Sequence, residues 1–403
     1  MNNGYIAALI RGLCIDLTGK PYTVVFGGEG TIPDGAVTIA LSPQDNPPDA
    51  AGIIRAAYAA WEKENGAASG TGDVILPSCV AVTVNDKTGV YWTGGDLDSA
   101  RKRRAEKDAS PAAVHPALPG KTINPAERAA VVQNRITIVT GGAQGIGEEI
   151  VRNLAAAGAL VFIADLNLEG AQELADEINA AEKRTAALAV QVNVSDEASV
   201  EAMFSAVAEN AGGLDLCISN AGVLKAGSVL EQELADFKFV TDINYTGFFI
   251  ISKYAGRLLR AQHYGAPRWK TDIIQINSKS GLEGSNKNGA YAGGKFGGIG
   301  LAASFAMELV EYNVKVNAIC PGNFLDGPLW SHPEKGLFVQ YLRNGKVPGA
   351  KTAADVRVFY ESKVPMKRGC TGKDLVRAIY YIVEQEYETG QAIPVTGGQV
   401  MLH

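Results

Sequence analysis

The chain has 403 residues, 46% hydrophobic and 20% charged, with a formal net charge of −6. This balance fits a globular protein of about two domains and argues against a nucleic-acid binder, which would carry a basic footprint. Cys14, Cys79, Cys217, Cys320 and Cys370 show no paired spacing, and no apolar run reaches the roughly 18 residues of a membrane helix. Reduced thiols, a cytoplasmic location and no membrane or nucleic-acid partner are therefore expected.

Residues 1–110 read as a small α/β domain. A helix is expected over Tyr5–Leu13, strands over Tyr22–Phe26 and Val37–Leu41, and an amphipathic helix over Ala50–Lys63. Cys79–Val84 and Gly89–Trp92 read as a hairpin about Asn85-Asp86-Lys87, and Asp96–Lys107 as a charged helix. Pro111, Pro116, Pro119 and Pro125 mark residues 111–133 as a linker.

From 134 to 403, strands and helices alternate. Strands are expected at Arg135–Val139, Ala159–Ala164, Ala186–Val192, Leu214–Ser219, Asp272–Asn277, Val314–Ile319 and Gln391–Val395. Long helices are expected at Phe237–Gln262 and Ala290–Tyr312. The alternation predicts a Rossmann-like, doubly wound parallel sheet with helices on both faces, and ligands at the carboxyl ends of its strands.

The first strand runs into Gly141, Gln144, Gly145, Ile146 and Gly147, and the second ends at Asp165. Strand, glycine turn, helix, strand and acid make a dinucleotide-binding unit. The glycines allow close approach to a pyrophosphate at a helix N-terminus, where backbone N–H groups are unpaired. Asp165 can accept from ribose hydroxyls and repel a 2′-phosphate. With Leu166 and Asn167 uncharged beside it, NAD is expected as the cofactor in preference to NADP. Further on, Tyr291 and Lys295 lie one helical turn apart. A lysine ammonium beside a phenol favours the phenolate and lowers its pKa, so the pair can work as an acid–base unit.

The glycine turn, Ser219-Asn220-Ala221-Gly222, Asn244, Ser278, Tyr291, Lys295 and Pro321-Gly322 stand in the order of the short-chain dehydrogenase/reductases, and the chain resembles that family over about Asn134–His403. Ile276–Gly281, Lys295–Leu301, Val364–Cys370 and Thr389–Leu402 are similar to its sorbitol-6-phosphate 2-dehydrogenase branch. The resemblance implies Tyr291 as acid/base, Ser278 as partner of the reacting oxygen, Lys295 on the nicotinamide ribose and Asn244 bracing the lysine through water. It implies adenine flanked by Asn193 and Val194, adenosine ribose lined by Asn220, Ala221 and Gly222, and a nicotinamide side shaped by Pro321, Gly322 and Asn323. It also implies a homotetramer, through packing of the Phe296–Val310 helix.

The polar loop with Glu283, Lys287 and Asn288 suits a substrate rich in hydroxyls, touching these residues together with Ser278 and Tyr291. Lys287, Lys363, Lys367 and Arg368 are the candidate phosphate cations. Leu282-Glu283 stands where relatives of the branch tend to be more basic, and a carboxylate there suits a neutral polyol. Sorbitol 6-phosphate is the first expected substrate. A free sugar alcohol, a 3-oxoacyl-type substrate and a non-catalytic NAD-sensing scaffold are the alternatives. Residues 323–349 fall where the family has a substrate lid. Cys79–Arg104 faintly resembles the tail of class II sugar-phosphate aldolases, but the only nearby histidine is His115 on the linker side, so no metal is expected and the N-terminal domain reads as a remnant or an assembly module.

Overall fold

The computed structural model describes residues 2–65, 74–110, 112–114, 125–334, 336–343, 345 and 347–401. The N-terminal unit comprises α1 (Asn3–Thr18), β1 (Thr23–Glu29), β2 (Val37–Leu41), α2 (Pro47–Asn65), β3 (Val74–Leu76), β4 (Cys79–Val84), β5 (Lys87–Gly94) and α3 (Leu97–Glu106). Its main sheet has the order β1-β5-β4-β2, antiparallel except for the parallel β2–β4 pair. Asn85 and Asp86 join β4 to β5 with φ of 50° and 61°, the left-handed geometry of a tight hairpin turn.

The expected linker is partly structured. β6 (Ala112–Val114) pairs antiparallel with β3, and Pro125–Val132 form a 3-10 helix. Pro111, Pro116, Pro119 and His115 lie outside the described residues.

The second unit holds β7 (Ile136–Thr140), α4 (Gly145–Ala156), β8 (Leu160–Asp165), α5 (Leu168–Glu182), β9 (Ala187–Gln191), α6 (Glu197–Ala211) and β10 (Leu216–Ser219). It continues with α7 (Leu234–Thr241), α8 (Gly247–Gly265), β11 (Thr271–Ile276), α9 (Gly289–Leu309) and β12 (Val314–Pro321). Three short helices, α10 (Pro328–Ser331), α11 (Leu337–Arg343) and α12 (Ala353–Ser362), precede α13 (Gly372–Glu384) and β13 (Ala392–Val395). The seven strands form one parallel sheet, ordered β13-β12-β11-β10-β7-β8-β9. Strand order reverses between β7 and β10, and such a switch point opens a crevice at the carboxyl ends. β7 is buried at every position, as a strand covered on both faces must be.

The helix expected over Phe237–Gln262 is broken. Asp242–Thr246 make one π turn between α7 and α8. The extra residue turns Asn244 inward, where it is 3% exposed.

α1 lies between the two units. Ile6, Leu9 and Ile10 pack into the N-terminal core, while Ala8 joins the core containing Phe204, Val207, Leu258 and Leu259. At the α1–α8 crossing, a Cβ on Gly12 would meet Gln262 O at 2.5 Å, so the backbones touch where only glycine fits. Arg11 is 0% exposed there.

Candidate active site

The glycine turn is built around atoms that leave no room for side chains. Gly141 and Gly145 have φ of 62° and 59°. A Cβ on Gly147 would lie 2.0 Å from Gly141 O. Asn220 spans the switch point, its Nδ2 donating to Thr140 O at 2.9 Å and Gly141 O at 3.0 Å. Thr140 Oγ1 returns the brace, accepting from the backbone N–H of Asn220 and Ala221 at 3.0 and 3.1 Å. Asp165 Oδ2 accepts from Ala143 N at 3.0 Å, which places the carboxylate against the turn. Leu166 is exposed beside it. Gln144 and Ile146 flank the start of α4. This cradle fits a dinucleotide: bare backbone faces the helix N-terminus and a carboxylate stands at its side.

Asn193 at the end of β9 turns onto its own loop, Oδ1 accepting from Ser195 N and Oγ at 3.1 and 2.8 Å, while Val194 is buried. Pro321-Gly322 closes β12. Gln399 Oε1 accepts from Asn323 N at 3.1 Å and approaches so closely that a Cβ on Gly322 would sit 2.5 Å from it. Thr140 heads the glycine turn and Gln399 lies within Thr389–Leu402, but neither stands out as a site residue in the sequence, because each acts through backbone contacts that spacing does not encode.

Between these loops stand the candidate catalytic residues. α9 presents Tyr291 and Lys295 on one face, with Lys295 Nζ 5.6 Å from the Tyr291 ring centre. Lys295 is 4% exposed and donates to Ile276 O at 2.8 Å. Ser278 is extended at the end of β11, and its Oγ accepts from Ser280 N at 3.1 Å. That bond leaves the hydroxyl proton to donate elsewhere. Asn244 holds the Val223 backbone, Oδ1 accepting from Val223 N at 2.9 Å and Nδ2 donating to Val223 O at 2.7 Å. It thereby fixes Gly222, whose Cβ position lies 3.8 Å from Lys295 Nζ.

The electrostatics differ from expectation. Burial raises the Tyr291 pKa, opposed by a hydrogen bond from the Ser278 hydroxyl. Burial also pulls Lys295 down from 10.5 to about 8. The chain alone therefore desolvates both groups, and Ser278 rather than Lys295 draws the phenol downward. Cys320, unforeseen in this role, sits near both groups, and burial pushes its thiol up to about 11.

Around the substrate side, Lys279 Nζ pairs with Glu283 Oε1 at 2.9 Å. Asn288 caps α9 and is buried, and its Oδ1 has no hydrogen-bond partner among the described residues. Lys287 stands just before it at φ 56°. Of the other candidate cations, Arg368 grips Asp374 through two bonds of 2.6 and 2.9 Å, Lys367 donates to Ser362 O at 2.8 Å, and Lys363 stacks 4.2 Å over Phe359. The expected lid is a helical segment with its own core of Leu325, Trp330, Leu337, Phe338 and Val356. Among the described residues no group of three or more His, Cys, Asp or Glu can hold a metal, and no helix is long and apolar enough to cross a membrane.

A family model described as short chain dehydrogenase matches residues 135–332. A sorbitol-6-phosphate 2-dehydrogenase of Escherichia coli (strain K12) is 35% identical over 271 residues, 66% of this chain and 99% of that protein. The crystal structure of sorbitol-6-phosphate 2-dehydrogenase SrlD from Erwinia amylovora matches with a TM-score of 0.61 and 39% identity, covering 66% of this chain and all of that one. Meso-2,3-butanediol dehydrogenase of Serratia marcescens is 30% identical over 255 residues, 60% of this chain and 96% of that protein. The chain belongs to the short-chain dehydrogenase family, oxidoreductases that act on CH–OH groups with a nicotinamide dinucleotide.

Proposed function

We propose that the protein interconverts a secondary alcohol of a polyol or polyol phosphate with its ketose, using NAD. The observation that carries this reading is the convergence of Ser278, Tyr291 and Lys295 beside the glycine turn. When bound, the nicotinamide supplies the hydride acceptor for oxidation and the donor for reduction. Gly141, Gln144, Gly145, Ile146 and Gly147 would hold the pyrophosphate, with Asp165 and Leu166 at the adenosine ribose and Asn193 and Val194 at the adenine. Asn220, Ala221 and Gly222 support that cradle, and Pro321, Gly322 and Asn323 bound the nicotinamide side. Tyr291 takes the proton from the substrate hydroxyl, Ser278 donates to the reacting oxygen, and Lys295 donates to ribose hydroxyls. A carboxylate at Asp165 with no cation on Leu166 or Asn167 supports NAD over NADP.

Sorbitol 6-phosphate is the first substrate to test, on the strength of the relatives' activity. One feature favours a neutral polyol as the second reading. Glu283 neutralises Lys279 beside the pocket loop and Asp374 neutralises Arg368, which withdraws two cations from a phosphate and leaves Lys287, Lys363 and Lys367 as its candidate partners. The partnerless Asn288 Oδ1 supports hydroxyl recognition in either case, because it needs a donor.

A panel of phosphorylated and free polyols, each with NAD and NADP, tests the reading. Turnover with one of these groups is expected, favouring NAD on the order of 100-fold because a 2′-phosphate would face a like charge. Reduction of neither nucleotide by any member would end the proposal. Tyr291→Phe should keep NAD binding and lose roughly three or more orders of magnitude in turnover. A cytoplasmic homotetramer belongs to the same proposal and rests on family likeness; sedimentation of the purified chain reads the assembly.

A further inference from the structure

Asn277 lies directly before the serine and is 3% exposed. Its amide makes three bonds in three directions. Oδ1 accepts from Ser278 N at 2.8 Å, and Nδ2 donates to Lys295 O at 2.9 Å and to Gln275 Oε1 at 2.7 Å. The surroundings are shaped for these two amides. A Cβ on Gly281 would sit 2.2 Å from Asn277 Oδ1, and one on Gly298 would sit 2.4 Å from Gln275 Nε2. Two glycines, one on each side of the strand end, thus make room for a buried polar bridge.

We propose that Asn277 is a positioning residue that sets the Ser278 hydroxyl against Tyr291 by tying the serine backbone to the helix that carries the tyrosine and lysine. The inference rests on the dehydrogenase chemistry assigned to Ser278 and Tyr291. β11 and α9 meet here with no backbone hydrogen bond to hold their register, since a strand and a helix cannot share a ladder. The Asn277 amide links them, with one bond to Gln275 on β11 and one to Lys295 on α9, beside the bond from Lys295 Nζ to Ile276 O. A fully paired buried amide has one geometry, so it transmits position without slack. Ser278 is the group that draws the Tyr291 phenol downward. A serine that drifts would therefore lose its donation to substrate and its hold on the phenol together.

The test is Asn277→Ala, with Asn277→Ser as a second variant that keeps a hydroxyl near Ser278 N but cannot span to Lys295 O. Crystal structures should show the Ser278 hydroxyl displaced from Tyr291 by about 1 Å, and kcat for alcohol oxidation should fall about 100-fold. KM and the NAD dissociation constant should stay unchanged, while the acid limb of the kcat profile moves to higher pH. Wild-type kcat and an unmoved limb in either variant would overturn the proposal, as would a loss explained by weaker NAD binding. The crystal readout needs no substrate. Failure of the wild type to oxidise any polyol would thus sink the substrate reading while leaving the geometry testable.

Discussion

Lys295 illustrates how burial rather than pairing sets the chemistry of single residues. It is 4% exposed, its ammonium held by a carbonyl, and its pKa falls to about 8 because charge is costly there. Both folded and unfolded chains carry the proton below pH 8. Between 8 and 10.5 the unfolded chain keeps it while the folded chain releases it, so stability rises with pH across that window. Relative to Lys295→Met, the wild type should therefore gain stability from pH 8 towards 10.5, by about 3 kcal/mol at most. Chemical denaturation at several pH values reads this directly, and parallel curves for the two proteins would refute it. A conventional lysine would titrate near 10.5 in both states and show no such window.

Elements carry information that no single residue does. The break between α7 and α8 comes from one inserted residue, which aims Asn244 at the Val223 backbone. Apolar spacing runs on through both halves, so periodicity reads one helix where the chain makes two and a π turn. Asn244→Ala would leave a Val223 N–H and C=O unpaired in a half-buried loop. A loss of about 1–3 kcal/mol is expected, seen as a lower melting temperature. A variant as stable as the wild type would mean that water replaces the amide at no cost.

The N-terminal unit is coupled to the dehydrogenase through a buried ion pair. Arg11 Nη2 meets Asp215 Oδ2 at 2.6 Å with both side chains 0% exposed. Arg11 also donates to Tyr22 O and to Gln262 Oε1, and Asp215 also accepts from Ile136 N and Trp269 Nε1. Burial would raise the Asp215 pKa, but Arg11, Arg135 and the hydrogen bonds outweigh it and keep the carboxyl below its usual range. Asp215 immediately precedes β10 and Asn220 immediately follows it under the glycine turn, so the linkage reaches from the base of the sheet towards the candidate cofactor cradle. Arg11→Met would strand the carboxylate and should cost about 3–5 kcal/mol, measured by denaturant unfolding. A loss below about 1 kcal/mol would show that the two units are energetically independent. Ala8, Val25, Leu97 and Ala100 share a core with α6 and α8, so a chain cut to residues 134–403 would also expose apolar surface.

Much of the catalytic half was legible before any coordinates. Short β-branched runs, glycines at a strand end and a tyrosine–lysine pair are local patterns, and local sterics and periodicity dictate what they form. Those residues alone determined the parallel sheet, the position of the glycine turn beside Asp165, and the placement of Tyr291 and Lys295 on one face of α9. The tertiary structure decided what depends on neighbours distant in sequence. It aimed the Asn277 amide at Lys295 O, gave Glu283 to Lys279, sent Asn244 to Val223 and buried Arg11 against Asp215. Hydrogen-bond partners and desolvation arise only when separate segments come together, and spacing along one segment carries no trace of them.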